Sequence, residues 1–125
     1  EKERTALTVV YRGNYDNERF MALKRSLNVY TLYSCGLVPS LIEFFRIPEC
    51  IILFGSYAKG EDTKESDIDI AVITGMKEYP ELERYQDCLN RKISLHLIKH
   101  MKNEQKEFIN SLANGIVLYG YMEVA

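Results

Sequence analysis

Short apolar runs bounded by turn residues recur along the second half of the chain. Residues 51–54 are apolar throughout and lie between a proline and a glycine, which predicts a strand covered on both faces. Residues 67–73 begin with polar and apolar positions in alternation, and residues 92–98 alternate as well, so both segments predict strands. Residues 116–119 predict a short last strand.

Apolar residues at helical spacing fill the segments between these strands. Residues 78–90 and 103–112 predict helices with one apolar side, and a shorter helix is expected to begin at Tyr57. From residue 48 onward the order is strand, helix, strand, helix, strand, helix, strand. This order predicts an α/β (α+β) fold in which helices pack on a small mixed sheet.

The front of the chain has a different pattern. Residues 5–11 are β-branched and apolar and precede a turn, which predicts a short strand. Residues 17–34 predict an amphipathic helix. Its apolar positions, three or four residues apart, are Phe20, Leu23, Leu27 and Tyr30. Ser40 is placed to cap a short helix over residues 41–45, which must end before Pro48 because proline disfavours helix in the residue that precedes it.

Composition places the chain among ordinary globular domains. It has 125 residues, 46% hydrophobic and 27% charged, and a net charge of -2, so its overall charge predicts no general affinity for nucleic acid. Cys35, Cys50 and Cys88 form no CxxC pair, which argues against a disulfide framework or a zinc site and favours a reducing, cytoplasmic setting. No apolar run approaches the roughly 18 residues of a membrane span, so no membrane association is expected.

Gly55 and Ser56 directly follow the strand predicted over residues 51–54. Glycine lets the backbone approach a ligand closely, serine offers a hydroxyl, and the first N–H groups of the helix that follows point at an anion. A tight turn with a helix cap would have the same residues. Lys59 and Lys64 are candidate phosphate contacts, although a lysine in a polar loop is usually only solvated.

Asp67 and Asp69 lie two residues apart at the start of a predicted strand, so their side chains are expected on the same face. Two neighbouring carboxylates repel each other unless a cation lies between them, and hard oxygen ligands suit Mg²⁺ or Mn²⁺. The alternative is a pair of solvated acids at the edge of a sheet.

The segment GSYAKGEDTKESDIDIAV, residues 55–72, resembles the signature of the DNA polymerase beta nucleotidyltransferase superfamily, in particular its minimal stand-alone members. The resemblance implies that Gly55 and Ser56 hold a nucleoside triphosphate and that Asp67 and Asp69 bind the divalent metal that bridges it. Ser66, which precedes the acids, belongs to the same pattern and is a further candidate for nucleotide binding. Catalysis of this kind consists mainly of positioning and charge neutralisation.

One position departs from the family pattern. The resemblance implies a third carboxylate on a later strand between apolar flanks, where active members use it to hold a metal and to help deprotonate the attacking hydroxyl. Ser94 stands at that place here, and its hydroxyl cannot act as a general base near neutral pH. His96, two residues further on, is either a replacement base or a hydrogen-bonded strand residue.

Two functions remain open on this basis. The first is an enzyme that transfers a nucleoside monophosphate from a nucleoside triphosphate to a hydroxyl of a protein, an RNA or a small molecule, with a divalent metal. The alternative, suggested by Ser94, is a catalytically impaired nucleotide-binding or regulatory module. Minimal members of the superfamily often modify or neutralise a partner, as antitoxins do, so a toxin-like protein partner or a homodimer is expected.

The predicted division of the chain places residues 48–125 in the nucleotidyltransferase domain. Residues 1–47, with a predicted strand and turn that lead into a long helix, resemble the exit from a winged-helix DNA-binding domain, and the absence of an initial methionine fits a truncation there. A DNA partner is expected only if such a domain precedes the chain. The alternative is that residues 1–47 pack on the sheet or form a dimer contact.

Overall fold

A computed structural model describes residues 14–122, with side chains from residue 17 onward. The strand predicted over residues 5–11 therefore lies outside the described residues. The helices within the described range are α1 (Asn14–Ser34), α2 (Leu37–Phe44), α3 (Ser56–Lys59), α4 (Glu83–Leu89) and α5 (Lys106–Ala113). The strands are β1 (Cys50–Phe54), β2 (Ile68–Ile73), β3 (Ile93–Ile98) and β4 (Ile116–Gly120), and a 3-10 turn covers Met101–Asn103.

The four strands form one mixed sheet in the order β3-β2-β1-β4. Strand β1 pairs antiparallel with β2 and β4, whereas β2 and β3 run parallel and are joined through helix α4. The register places Asp69 beside Phe54 on one neighbouring strand and beside Ser94 on the other. The predicted fold class and the small mixed sheet are confirmed.

Helices cover both faces of the sheet, which explains why β1 is apolar at every position. On one face, Ile51 and Leu53 of β1 share a buried cluster with Leu37 and Leu41 of α2. On the other face, Ile52 packs with residues that include Leu112 of α5. Helix α2 thus shares a core with the sheet. The predicted division of the chain into two domains between residues 47 and 48 stays a prediction.

Helix α1 forms as predicted, but its apolar side chains face away from the sheet. The side that faces inward carries Asn28 and Leu32, both of which are buried. Asn28 donates hydrogen bonds to the carbonyl oxygen of Tyr57 at 2.9 Å and to a carboxylate oxygen of Asp62, also at 2.9 Å. Hydrogen bonds from Asn28 thus help to fix which side of α1 faces the core, and the apolar side of the helix stays exposed within the described structure.

Two predicted helices are shorter than expected. Helix α4 begins at Glu83 and not at residue 78, because Pro80 disfavours helix in the residue before it. Helix α5 begins at Lys106 and not at residue 103, since the 3-10 turn ends there and Gln105 is extended. No helix in the described part of the chain is long and apolar enough to cross a membrane.

Helix α2 begins earlier than predicted, directly after the left-handed Gly36. Ser40 is therefore not its cap, and its hydroxyl donates instead to the carbonyl oxygen of Leu37 at 2.8 Å. The chain leaves α2 through two left-handed residues, Arg46 and Ile47, with φ of 57° and 59°. The helix has ended before the proline at position 48, as predicted.

Candidate active site

The turn after β1 depends on Gly55, whose φ of 83° and ψ of -164° lie in a region that other residues rarely adopt. A Cβ atom built on Gly55 would lie 3.3 Å from Cγ of Asp69 and even closer to one of its carboxylate oxygens. The backbone of Gly55 therefore lies directly against the carboxylate of Asp69. The two halves of the motif meet at this contact.

Ser56 is the first residue of α3. The first N–H groups of any helix have no acceptor within the helix, so the start of α3 adds donors beside Gly55. Within the part of the chain that the structure describes, the Ser56 hydroxyl has no hydrogen-bond partner, and its carbonyl oxygen accepts from the N–H of Glu61 at 3.0 Å. The turn thus offers a hydroxyl and N–H groups next to a carboxylate.

Asp67 is exposed immediately before β2, and Asp69 is half-buried within it. Burial is the largest influence on Asp69 and raises the pKa of its carboxyl group; nearby His96 lowers this pKa, and nearby Asp67 raises it. The net pKa of Asp69 lies above its ordinary value. The two acids are thus close enough to repel, as expected for the same-face arrangement that their spacing predicts.

Ser94 joins these two acids from strand β3. It pairs with Asp69 in the sheet register, and its hydroxyl donates to a carboxylate oxygen of Asp67 at 3.3 Å. The position predicted for the third carboxylate is therefore adjacent to both aspartates, and a serine occupies it. A hydroxyl there can hydrogen-bond to a carboxylate, but it adds no charge.

His96 lies within a group of three aromatic rings beside the acids. Its ring centroid is 5.3 Å from that of Phe54 and 5.7 Å from that of Phe108. A cavity of about 500 Å³ opens next to His96 and is also lined by Phe108 and Tyr79. Neither Phe54 nor Phe108 was predicted to belong to a site, although the position of Phe54 directly before Gly55 in the sequence was a usable signal.

Two other predicted residues have local surroundings of their own. Lys59 is exposed at the end of α3 and lines a separate cavity of about 580 Å³ together with Arg25 of α1. Ser66 accepts a hydrogen bond from the N–H of Thr63 at 2.9 Å and so fixes the loop that leads to Asp67. Their predicted contacts with a nucleotide stay predictions.

A buried carboxylate that sequence analysis missed, Asp62, lies in the loop between α3 and β2. Its side chain is 1% exposed and lies 3.1 Å from Nζ of Lys24 and 3.0 Å from Nη2 of Arg91. Burial is the largest influence on Asp62 and by itself raises the pKa, but hydrogen bonds from Lys24 and Asn28 and the pairing with Arg91 outweigh it and lower the pKa. Asp62 thereby ties α1 and the start of β3 to the loop between the two halves of the motif.

Asp67 and Asp69 fit a divalent metal such as Mg²⁺ or Mn²⁺. Both side chains are hard oxygen donors. Burial and the nearby Asp67 make the negative charge of Asp69 unfavourable, and a cation would offset this effect. Among the residues that the structure describes, no group of three or more His, Cys, Asp or Glu side chains is arranged to hold a metal. Two carboxylates are nevertheless enough for Mg²⁺, which typically completes its coordination with water and phosphate oxygens.

Comparison with known proteins agrees with this geometry. The sequence profile of the family described as "Polymerase beta, Nucleotidyltransferase" matches residues 40–123, which is more than half of the chain. A Methanocaldococcus jannaschii protein named "Putative protein adenylyltransferase" is 51% identical over 39 residues, or 31% of this chain and 39% of that relative. The match thus spans about two fifths of the relative's length. Because the matched range contains both the Gly55 turn and the paired acids, the chain belongs to the polymerase beta nucleotidyltransferase family.

Proposed function

We propose that this chain transfers AMP from ATP to a hydroxyl group on a protein, with a divalent metal held by Asp67 and Asp69. The observation that carries the proposal is the contact between the Gly55 backbone and the Asp69 carboxylate, because a turn suited to phosphate then lies beside the acid that we propose as a metal ligand. Family membership supports nucleotidyl transfer. The name of the Methanocaldococcus jannaschii relative supports adenylyl as the group and protein as the acceptor.

In the proposed reaction, the acceptor oxygen attacks the α-phosphorus of ATP. A new P–O bond forms there, the bond to the β-phosphoryl oxygen breaks, and pyrophosphate leaves. The turn at Gly55 and Ser56 orients the triphosphate through N–H groups and a hydroxyl. A bound divalent metal supplies neutralisation of the charge on the phosphates.

His96 accepts the proton of the attacking hydroxyl in this proposal. It lies close enough to Asp69 to influence the pKa of that carboxyl group, and an imidazole has a pKa suited to a base near neutral pH. His96→Ala should therefore lower the transfer rate by about 100-fold or more. The matched control is His100→Ala, because His100 is exposed after β3 and is the other of the chain's two histidines.

The test of the function follows a label from ATP to protein. Purified chain, Mg²⁺ or Mn²⁺ and a soluble protein extract are incubated with ATP labelled at the α- or the γ-phosphate. The proposal expects protein-bound label from α-labelled ATP only, with release by phosphodiesterase. Asp67→Asn combined with Asp69→Asn should abolish it, whereas Asp87→Asn, which removes an exposed acid on α4, should not. Label from the γ-phosphate, or equal transfer by the double variant, would contradict the proposal.

The second candidate function is a nucleotide-binding module without transfer, and Ser94 is the observation that favours it. Its hydroxyl lies beside both aspartates, and the resemblance to the superfamily predicts an acid at this position in active members. If wild type binds ATP with saturation but transfers nothing, Ser94→Asp should tighten Mn²⁺ binding and create transfer, while Ser94→Asn should do neither because it adds no charge. Transfer by wild type that is lost in His96→Ala would exclude this second candidate.

A further inference from the structure

The outer side of helix α1 carries an exposed row of large apolar residues. These residues, here called the α1 stripe, are Phe20, Leu23, Leu27 and Tyr30, which are 55%, 58%, 54% and 68% exposed. The opposite side of the helix is anchored through Asn28 and Leu32, so the stripe cannot turn inward without breaking buried contacts. Surface residues of this type are common singly, but a contiguous row marks an interaction surface.

The stripe is symmetric along the helix. Its residues are spaced three, four and three apart, and they read aromatic, leucine, leucine, aromatic. A second copy of α1 that runs in the opposite direction presents the same pattern. With the two-fold axis beside position 25, Phe20 meets Tyr30 of the other copy and Leu23 meets Leu27. Self-complementarity of this kind is what a two-fold symmetric interface requires.

Two of the residues that flank the stripe are small enough to allow close approach. Ala22 and Ser26 are small and exposed. The Ser26 hydroxyl already donates to the carbonyl oxygen of Ala22 at 3.0 Å, and that of Thr31 donates to the carbonyl oxygen of Leu27 at 2.7 Å. These hydroxyl groups therefore keep a hydrogen bond when water is removed, so covering them is not strongly unfavourable.

The area of the stripe matches that of a standard interface. At roughly 170–220 Å² for each fully exposed residue, the exposed fractions correspond to about 450 Å² of mainly apolar surface per chain. A standard interface buries about 800 Å² per partner, of which about 57% is apolar, or roughly 450 Å². Complete covering of the stripe would therefore supply the apolar part of an interface of standard size.

We propose that two copies of this chain associate through antiparallel packing of their α1 stripes. The interface uses the side of α1 that faces away from Asn28 and Leu32. Leu32 packs in the core cluster on one face of the sheet, and Ile52 and Leu112 lie on the other face. Asp67 and Asp69 of each copy are therefore not part of the interface. The proposal is independent of the proposed transfer activity.

The test measures the mass of the whole chain in solution. Wild type should sediment as a dimer at micromolar concentration, and Leu27→Glu should weaken the dimer by at least about tenfold, because each dimer loses two buried leucines and gains two charges. The matched control is Ile47→Glu, which changes a residue that is 73% exposed but lies outside the stripe. Circular dichroism checks that each variant is folded.

A charge pair tests the orientation. Leu23→Lys and Leu27→Glu should each be largely monomeric alone. Their equimolar mixture should recover a dimer, since antiparallel packing joins Lys of one chain to Glu of the other and leaves one leucine pair intact. A parallel pair would place like positions together and would not be rescued in this way.

Several results would overturn the proposal. The first is a wild type that is monomeric at about 100 μM, which is the result expected if residues 1–13 of the same chain cover the stripe. The second is a dimer that Leu27→Glu leaves intact. The third is an equimolar mixture of Leu23→Lys and Leu27→Glu that remains monomeric.

Discussion

Replacing Gly55 with alanine is the sharpest test of the arrangement around Asp69. Gly55 has a φ of 83° and a ψ of -164°, where a residue with a Cβ atom is strained by about 1–3 kcal/mol. The added methyl group would also lie within 3.0 Å of a carboxylate oxygen of Asp69 and 3.3 Å from its Cγ, so the carboxylate must rotate away. The variant should therefore lose stability and lose the orientation of Asp69, which is one of the two proposed metal ligands.

The two effects can be separated with Gly60→Ala as a control. Gly60 is also left-handed, with a φ of 77°, and alanine there should cost about 1–2 kcal/mol of stability. Its Cβ atom would meet Cγ of Arg25 and the carbonyl oxygen of Met21 at 3.1 Å, and Asp69 is not among the three nearest contacts. Both variants should unfold at lower temperature, but only Gly55→Ala should disturb the acid.

The assay is a titration of each folded variant with Mn²⁺ in the presence of a non-hydrolysable ATP analogue. Misorienting a metal ligand typically lowers affinity by about 10- to 100-fold, and this range is expected for Gly55→Ala. Gly60→Ala should bind as wild type does. Equal affinity in all three proteins would refute the reasoning, because the turn would then be no more than a connection between β1 and α3.

The remaining predictions concern the two buried acids. The pKa of Asp69 is raised in the folded protein, so the charge on Asp69 lowers the stability of the native state as the pH rises through that pKa. Without metal, Asp69→Asn should therefore have a higher melting temperature than wild type at pH 7. This gain in melting temperature should vanish below pH 3.8, the ordinary pKa of an aspartate. Thermal unfolding between pH 3 and 8 with EDTA measures this, and no gain at pH 7 would contradict it. Asp62→Asn should lower the free energy of unfolding by about 2 kcal/mol in urea titrations, less than the 3–5 kcal/mol of a fully buried pair because Lys24 and Arg91 keep some access to water. An unchanged urea midpoint would show that this network adds no net stability.

Much of the fold could be predicted because its strands are short and sharply bounded. A continuous apolar run predicted β1 with both faces covered, and alternation predicted β2 and β3. The spacing of Asp67 and Asp69 indicated that the two acids share a face, and the influence of Asp67 on the pKa of Asp69 agrees with this. These features depend on the spacing of apolar and polar residues within short segments, which can be read from a single sequence.

Other features depend on contacts between distant segments. The inward side of α1 is set by Asn28 and by the ion pair of Lys24 with Asp62, 38 residues further along the chain. Helical spacing alone favoured the opposite side, since the larger apolar residues are there. In the sequence, Asp62 looked like one more acid in a polar loop, and only its burial and its contacts with Lys24, Asn28 and Arg91 in the fold distinguish it.

The contrast between Asp62 and Asp69 supports the proposal that Asp69, and not Asp62, binds the metal. Both carboxyl groups have their pKa raised by burial. At Asp62 the fold supplies Lys24, Arg91 and an amide, so the net pKa falls and the charge stabilises the native state. At Asp69 burial has the largest influence and Asp67 adds to it, while His96 offsets only part of the two, so the net pKa rises and the charge remains poorly compensated. A half-buried acid whose charge is poorly compensated is expected where a ligand completes the balance of charge, and the proposed metal with its triphosphate would do so here.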